Sequence, residues 1–166
     1  VFLESEKMYG DKGEVPEGEY IIPIGVADVK RKGTHITVVS FGKIIKIVEE
    51  VAEILAKENI DIEIIDLRTI RPLDFASIVE SVKKTNRLVI LEESWPFGNI
   101  STDISYQVQN QIFEQPKFSY IYGMIIKQMT FIKYVLMIAF LHLLYVSDAQ
   151  EKFTDDLVIG GNYQFG

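Results

Sequence analysis

The sequence predicts an α/β fold with three layers, in which a mostly parallel sheet lies between helices. Two observations predict it. From residue 34 to residue 114, short apolar runs rich in β-branched residues alternate with segments of helical periodicity. Each helical segment is also long enough to cross from one parallel strand to the next. The length of 166 residues fits one domain with a substantial core.

The first strand and the first helix follow each other directly. Residues 34–41, THITVVSF, are β-branched and apolar, which is typical of a strand buried on both faces. Residues 43–58 place their apolar side chains on one stripe at helical spacing. Asn59 is expected to end this helix, because asparagine adopts the left-handed conformation readily.

Two further strand–helix pairs follow. Residues 60–67 and 87–91 are predicted strands, and Asp74 is the predicted cap of a helix over residues 75–84 that ends at Asn86. Residues 100–113 predict a last helix in this region. Before residue 34, residues 1–3 predict a short strand, and residues 9–19 predict a loop rich in glycine, proline and charge.

The composition excludes several classes of function. The chain has no cysteine, which excludes disulfide scaffolds and cysteine-based metal sites. Two histidines make a histidine-rich metal site a poor hypothesis, and no metal site is predicted. The net charge of −7 argues against a surface for nucleic acid or anionic membranes, which needs clustered lysine and arginine.

The average composition conceals a change after Glu114. Residues 1–114 carry 13 basic and 20 acidic side chains and 9 aromatic ones, whereas residues 115–166 carry 4, 4 and 10. We therefore divide the chain into a linker with a first strand (1–33), an α/β domain (34–114) and an apolar tail (115–166). Such a shift marks a domain boundary or a junction between unrelated sequences.

Polar side chains follow the predicted parallel strands, where ligands of open α/β sheets collect. The candidates are Ser40, Asp66, Arg68, Glu92 and Glu93. One interpretation is a small-molecule site in which paired carboxylates carry out acid–base work. The other is a set of polar strand ends that face water.

Three more side chains have two interpretations each. Arg71, together with Arg68, is suited to clamp a phosphate or a carboxylate, or to pair with a neighbouring aspartate. Trp95 and Phe97 flank a proline, and this cluster is either an interface anchor or a plug over the core. No catalytic motif accompanies these residues.

Longer stretches of the sequence are more specific. DLRTIRPLD (66–74), KKTNRLV (83–89) and EESWPFG (92–98), with VFLESE (1–6) and GTHITVVS (33–40) before them, resemble the C-terminal transketolase-like domain of pyruvate dehydrogenase beta subunits. The resemblance covers residues 1–114. It implies a thiamine-diphosphate-dependent enzyme that decarboxylates pyruvate and passes the acetyl group to a lipoyl carrier.

The resemblance also implies partners and a location. In that family two alpha and two beta subunits form a heterotetramer, whose C-terminal beta domain joins beta chains and helps to dock the subunit-binding domain of the dihydrolipoyl acyltransferase. Thiamine diphosphate and Mg²⁺ lie between the alpha subunit and the N-terminal beta domain, so no catalytic or cofactor residue carries over to this chain. The expected location is the mitochondrial matrix in a eukaryote and the cytoplasm in a bacterium.

The resemblance ends at Glu114, so the last strand and helix of the family domain are expected to be missing. Residues 134–147 form an uncharged apolar run, and a helix is predicted over about 124–147. Two hypotheses stay open for the tail: a chimeric extension, or a helix that packs where the missing elements belong. Two functions also stay open as alternatives: a free-standing module that binds an anion or small molecule, and a membrane-associated protein anchored by residues 131–146.

Overall fold

A five-stranded mixed sheet forms the centre of the fold. The computed structural model describes residues 1–94, 97–112 and 120–125. The order of the strands across the sheet is β1-β3-β2-β4-β5, with β1 antiparallel to β3 and the other pairs parallel. The strands are β1 (Asp28–Arg31), β2 (Ile36–Ser40), β3 (Ile62–Asp66), β4 (Arg87–Glu92) and β5 (Tyr120–Ile125).

Three helices cover the two faces of the sheet: α1 (Ile44–Lys57), α2 (Phe75–Thr85) and α3 (Ile100–Ile112). Alternate residues of β2 face opposite layers, since Ile36 and Val38 pack in the core with α1, while Val39 packs in the core with α2 and α3. All five residues of β2 are buried, which explains why its sequence is continuous rather than alternating. The predicted three-layer α/β architecture is confirmed.

The helices begin and end where the sequence predicts. The Asp74 carboxylate accepts hydrogen bonds from the N–H and the hydroxyl of Ser77, at 3.2 and 2.8 Å, and so caps α2. Asn59 and Asn86 have φ values of 60° and 57°, the left-handed conformation that ends α1 and α2. These stop signals act locally, which is why the sequence reveals them.

The prediction of a strand at residues 1–3 is wrong. This segment makes no strand pairing, and its side chains are exposed, with Phe2 at 90%, because a strand needs a hydrogen-bonded neighbour. The antiparallel strand is β1 instead, and a short 3-10 helix, Glu6–Met8, lies before it. Contacts that tie residues 1–27 to the sheet layers include the Lys46–Asp11 ion pair at 2.5 Å and the hydrogen bond from Ala27 N–H to Asp74 at 2.9 Å.

The expectation that the sheet lacks its last strand is also corrected. β5 pairs with β4 in parallel from Arg87↔Tyr120 to Glu92↔Ile125. Without it, β4 would leave a row of backbone N–H and C=O groups unpaired. The predicted tail helix, residues 124–147, therefore overlaps the last two residues of β5, and the rest of it lies outside the described residues.

No helix in the described part of the chain is both long enough and apolar enough to span a bilayer. The apolar run at residues 131–146, on which the membrane alternative depends, lies outside that part. The predicted boundary at Glu114 lies outside it as well.

Candidate functional site

The ends of β2, β3 and β4 meet at one edge of the sheet, because the three strands are parallel. Ser40 lies opposite Asp66 in the register of β2 and β3. Its hydroxyl donates to the carbonyl oxygen of Leu91 at 2.7 Å, and the side chain is buried. Ser40 therefore joins two strands and presents no hydroxyl to the solvent.

Glu92 binds the beginning of α3. Its two carboxylate oxygens accept from Ile100 N–H at 3.3 Å and from Ser101 N–H at 2.8 Å, and the residue is 2% exposed. The Asn99 side-chain oxygen accepts from the next N–H group, that of Thr102, at 2.8 Å. A carboxylate is favoured there, because the first N–H groups of a helix lack partners within the helix and carry a partial positive charge.

We expect the substitution Glu92→Ala to lower the free energy of unfolding by about 2 kcal/mol, because it leaves two N–H groups near a buried helix end without an acceptor. Urea unfolding at neutral pH measures this change. Glu93→Gln is the matched control: Glu93 is an exposed residue that pairs with Lys43, and such pairs contribute at most about 1 kcal/mol. Equal losses in the two variants would contradict the capping role of Glu92.

Asp66 and Arg68 belong to a cluster of charges that joins β3 to β1. Asp28 lies opposite Asp66 across the two strands and forms ion pairs with Lys30 at 2.8 Å and with Arg68 at 2.7 Å. The hydrogen bond from Lys30 holds the pKa of Asp28 below its ordinary value, whereas burial raises the pKa of Asp66. Asp66 also accepts from Arg68 N–H at 3.1 Å. This cluster neutralises itself and ties the edge strand to the sheet.

Arg71 does not join this cluster. It lies in the loop before α2, beside a cleft of about 290 Å³ that α3 borders on its other side. No ion pair or hydrogen bond involves its guanidinium within residues 1–94, 97–112 and 120–125. Arg68 and Arg71 therefore do not form the predicted clamp for a phosphate or a carboxylate, since Arg68 already pairs with Asp28.

Phe97 is 90% exposed on the loop between β4 and α3. A side chain in that position does not plug the core, so the interface interpretation is the one that its exposure favours. Trp95, its predicted companion, lies outside the described residues.

Glu63 was not among the residues predicted from the sequence. This residue of β3 is 5% exposed, and its carboxylate accepts from Gly33 N–H at 3.1 Å and from the Lys84 ammonium group. Beside it, the hydroxyl of Thr37 lies 2.6 Å from that of Ser81 and 2.7 Å from that of Thr85. The sequence does contain a sign of this buried polar cluster, since Thr37 and Glu63 are polar residues within two otherwise apolar strand segments.

The strand-end carboxylates do not fit a site for a diphosphate with Mg²⁺. Both oxygens of Glu92 already accept from helix N–H groups, and Asp28 is neutralised by two cations. In the part of the chain that the structure describes, no three histidine or acidic residues cluster in a way that would hold a metal ion. The polar groups at this edge cap α3, form ion pairs between β1 and β3, and connect β2 to β4.

Comparison with known proteins connects this geometry to a family. The family model of the transketolase C-terminal domain matches residues 25–130, and so continues past Glu114. A chain of a split-gene transketolase, solved as an inactive beta4 tetramer, superposes with a TM-score of 0.65 at 20% identity. The superposition covers 81% of this chain and 46% of that chain, and shows that the two share a fold.

Two relatives are much closer in sequence. The beta subunit of acetoin:2,6-dichlorophenolindophenol oxidoreductase from Cupriavidus necator is 48% identical over 68% of this chain and 33% of its own length. The beta subunit of the pyruvate dehydrogenase E1 component from Rickettsia felis is 46% identical over 69% and 35%. This chain thus spans about a third of the length of the curated relatives that it matches. The sheet order, the covering helices and the match over residues 25–130 agree: the chain belongs to the transketolase C-terminal domain family.

Proposed function

We propose that this chain is the C-terminal assembly domain of the beta subunit of a thiamine-diphosphate-dependent pyruvate dehydrogenase. Its identity of 46% to the Rickettsia felis beta subunit supports the assignment of the subunit. Alone, the domain is inactive. Its contribution to the oxidative decarboxylation of pyruvate to acetyl-CoA is to hold the enzyme together.

The observation that carries the proposal is the use of the polar groups at the sheet edge. Ser40 bonds to β4, Glu92 caps α3, and Arg68 pairs with Asp28. General acids and bases need a free group within reach of the substrate, and these groups are occupied by the fold itself. Such an edge is suited to a rigid scaffold rather than to proton transfer.

A second observation supports a role in assembly. The segment before β1 exposes large apolar side chains, and Gly25 anchors it next to the loop before α2 by donating its N–H to the Thr69 hydroxyl at 3.0 Å. Exposed apolar surface of this extent is typical of protein–protein contacts. The exposed side chains are Val1, Phe2, Leu3, Tyr9, Val15, Tyr20, Ile21, Ile22, Ile24 and Val26.

The partners follow from the assignment of the subunit. We propose that the domain contacts the alpha subunit and a second beta subunit, and that it helps to dock the subunit-binding domain of the dihydrolipoyl acyltransferase. Thiamine diphosphate and Mg²⁺ belong to the parent enzyme outside this domain. Relatives include bacterial and mitochondrial beta subunits, so we propose the cytoplasm or the matrix according to the source.

Acetoin oxidation is the second candidate function. The acetoin:2,6-dichlorophenolindophenol oxidoreductase subunit is 48% identical, against 46% for the pyruvate dehydrogenase subunit. An assembly domain without substrate contacts would look alike in both enzymes. The two candidates therefore differ in which set of partner subunits the chain joins.

Reconstitution tests the proposal. The Rickettsia felis alpha subunit is co-expressed with its beta subunit, from which the region similar to residues 1–114 has been removed, and the present chain is supplied in trans. We expect the three chains to co-purify and to reduce 2,6-dichlorophenolindophenol with pyruvate. Co-purification and activity only in a parallel complex built on the Cupriavidus necator subunits, assayed with acetoin, would favour the second candidate.

A pair of variants makes the result specific. Ile22→Asp alters the exposed segment before β1 and is expected to weaken the assembly, whereas Ile54→Asp places the same charge on the outer side of α1 and is the control. Failure of the wild-type chain to co-purify with either set of subunits would contradict the assembly role. Thiamine-dependent turnover by the purified chain alone would overturn the assignment of the domain.

A further inference from the structure

The cleft beside Arg71 has the character of a binding site. It lies between α3 and the loop before α2, and its volume is about 290 Å³. Most of its lining is apolar and partly buried, and comes from Ile70, Leu73, Phe75 and Ile100. Small-molecule sites combine such a lining with a few polar groups that fix the orientation of the ligand.

Arg71 is the polar group that stands out. The chain has four arginines; three of them bond to other groups, namely Arg31 to Glu53, Arg68 to Asp28 and Arg87 to the His35 carbonyl oxygen. Arg71 makes no such bond to any of the described residues. A guanidinium group at the side of an apolar cleft offers a fork of N–H donors to a carboxylate.

The residues that α3 contributes to the cleft have a different character. Asp103 lies on α3 and accepts a hydrogen bond from the Gln107 amide at 2.9 Å, and both residues line the cleft. The lining therefore combines a cation from the loop before α2 with an anion from α3. A ligand with a second negative charge would meet Asp103 and be repelled.

We propose that this cleft binds a short aliphatic monocarboxylate. The carboxylate pairs with Arg71, the hydrocarbon part contacts Ile70 and Ile100, and Asp103 excludes dicarboxylates. The volume lies at the lower limit of ligand pockets, roughly 300–1,000 Å³, and therefore selects small molecules. The inference goes beyond the proposed function and does not depend on it, because binding of a carboxylate by this cleft requires no partner subunit.

Methyl NMR of the full chain with labelled isoleucine tests the site, with butyrate as the probe. We expect saturable shifts of the Ile70 and Ile100 methyl signals below about 20 mM butyrate, a concentration that corresponds to weak but specific binding. Butyramide has the same hydrocarbon part without the charge, and succinate adds a second carboxylate. Both are expected to bind at least about tenfold more weakly. Butyramide lacks the charge that pairs with Arg71, and the second carboxylate of succinate is repelled by Asp103.

Two variants locate the charge. Arg71→Met is expected to raise the dissociation constant at least about tenfold, whereas Lys83→Met removes an exposed cation from α2 and is expected to leave it unchanged. Ile100→Trp keeps Arg71 but fills the cleft, and should also abolish the shifts. The proposal is overturned if butyrate gives no saturable shift, if butyramide binds as well as butyrate, or if Lys83→Met weakens binding as much as Arg71→Met.

Discussion

The substitution Gly33→Ala is expected to lower the free energy of unfolding by at least about 3 kcal/mol. Gly33 is buried in the link between β1 and β2. A methyl group at its Cα would lie well inside contact distance of the backbone of Ile62 and Glu63. Backbone atoms in the centre of a sheet do not move aside as the end of a flexible side chain does, so the strain falls on the link and on β3.

The sheet order explains why the approach is so close. β1 and β2 flank β3 on its two sides, so the link between them must cross the beginning of β3. The carbonyl oxygen of Asp61 accepts from the N–H groups of Thr34 and His35 at 3.3 and 2.9 Å and holds the link down. A residue without a side chain is needed where one backbone passes another this closely.

Urea unfolding monitored by circular dichroism measures the effect. Gly13→Ala is the matched control, since no atom lies within 4 Å of the position of a Cβ there, and its change should stay within about 0.5 kcal/mol. A Gly33→Ala protein as stable as the control would show that the link does not pass β3 in the way described. If the variant is recovered only as aggregated protein while the control is soluble, the direction of the prediction holds.

Much of the fold is visible in the sequence because the determinants are local. β2, β3 and β4 are buried on both faces and are therefore mostly apolar, whereas α1 has one apolar stripe. Asp74 and Asn86 mark the two ends of α2 through interactions within four residues. Signals of this kind need no knowledge of what lies across the sheet.

The two edge strands were misjudged for a physical reason. β1 contains Asp28, Lys30 and Arg31, and such charges protect an edge strand from pairing with other chains. They also leave β1 without the apolar pattern that predicts a strand. β5 has the composition of a strand, with Tyr120, Ile121 and Tyr122. Its position in the sheet depends on pairing with the open edge of β4. The sequence of residues 120–125 alone does not reveal that partner.

The candidate site shows the same limit. The sequence correctly located Ser40, Asp66 and Glu92 at one edge of the sheet, because parallel strands end together. It left their bonding partners open, since these lie as far away as Leu91 for Ser40 and Ser101 for Glu92. The difference between a catalytic carboxylate and a capping carboxylate lies in those contacts.

Glu63→Gln is expected to lower the free energy of unfolding by about 2 kcal/mol at neutral pH. Gly33 N–H and the Lys84 ammonium group both donate to one oxygen of the Glu63 carboxylate, Oε2, and a glutamine can offer only a neutral carbonyl oxygen there. Both hydrogen bonds lose the contribution of the negative charge, and the ion pair with Lys84 is lost. Glu80→Gln removes the same charge from the exposed side of α2 and is the control, with an expected change within about 0.5 kcal/mol.

The effect of Glu63→Gln should also depend on pH. Burial acts to raise the pKa of Glu63, but the hydrogen bonds from Lys84, Ser81 and Gly33 N–H outweigh it, so the pKa lies below its ordinary value of 4.5. The folded state therefore binds this proton less readily than the unfolded state. The stabilisation from the carboxylate is complete above pH 4.5 and is lost as the pH falls through the lower pKa of the folded state. Urea unfolding at a series of pH values should thus show the free energies of unfolding of wild type and Glu63→Gln converging in acid, while that of Glu80→Gln stays close to wild type throughout. A difference between wild type and Glu63→Gln that persists unchanged to the lowest pH would contradict a carboxylate stabilised by these three donors.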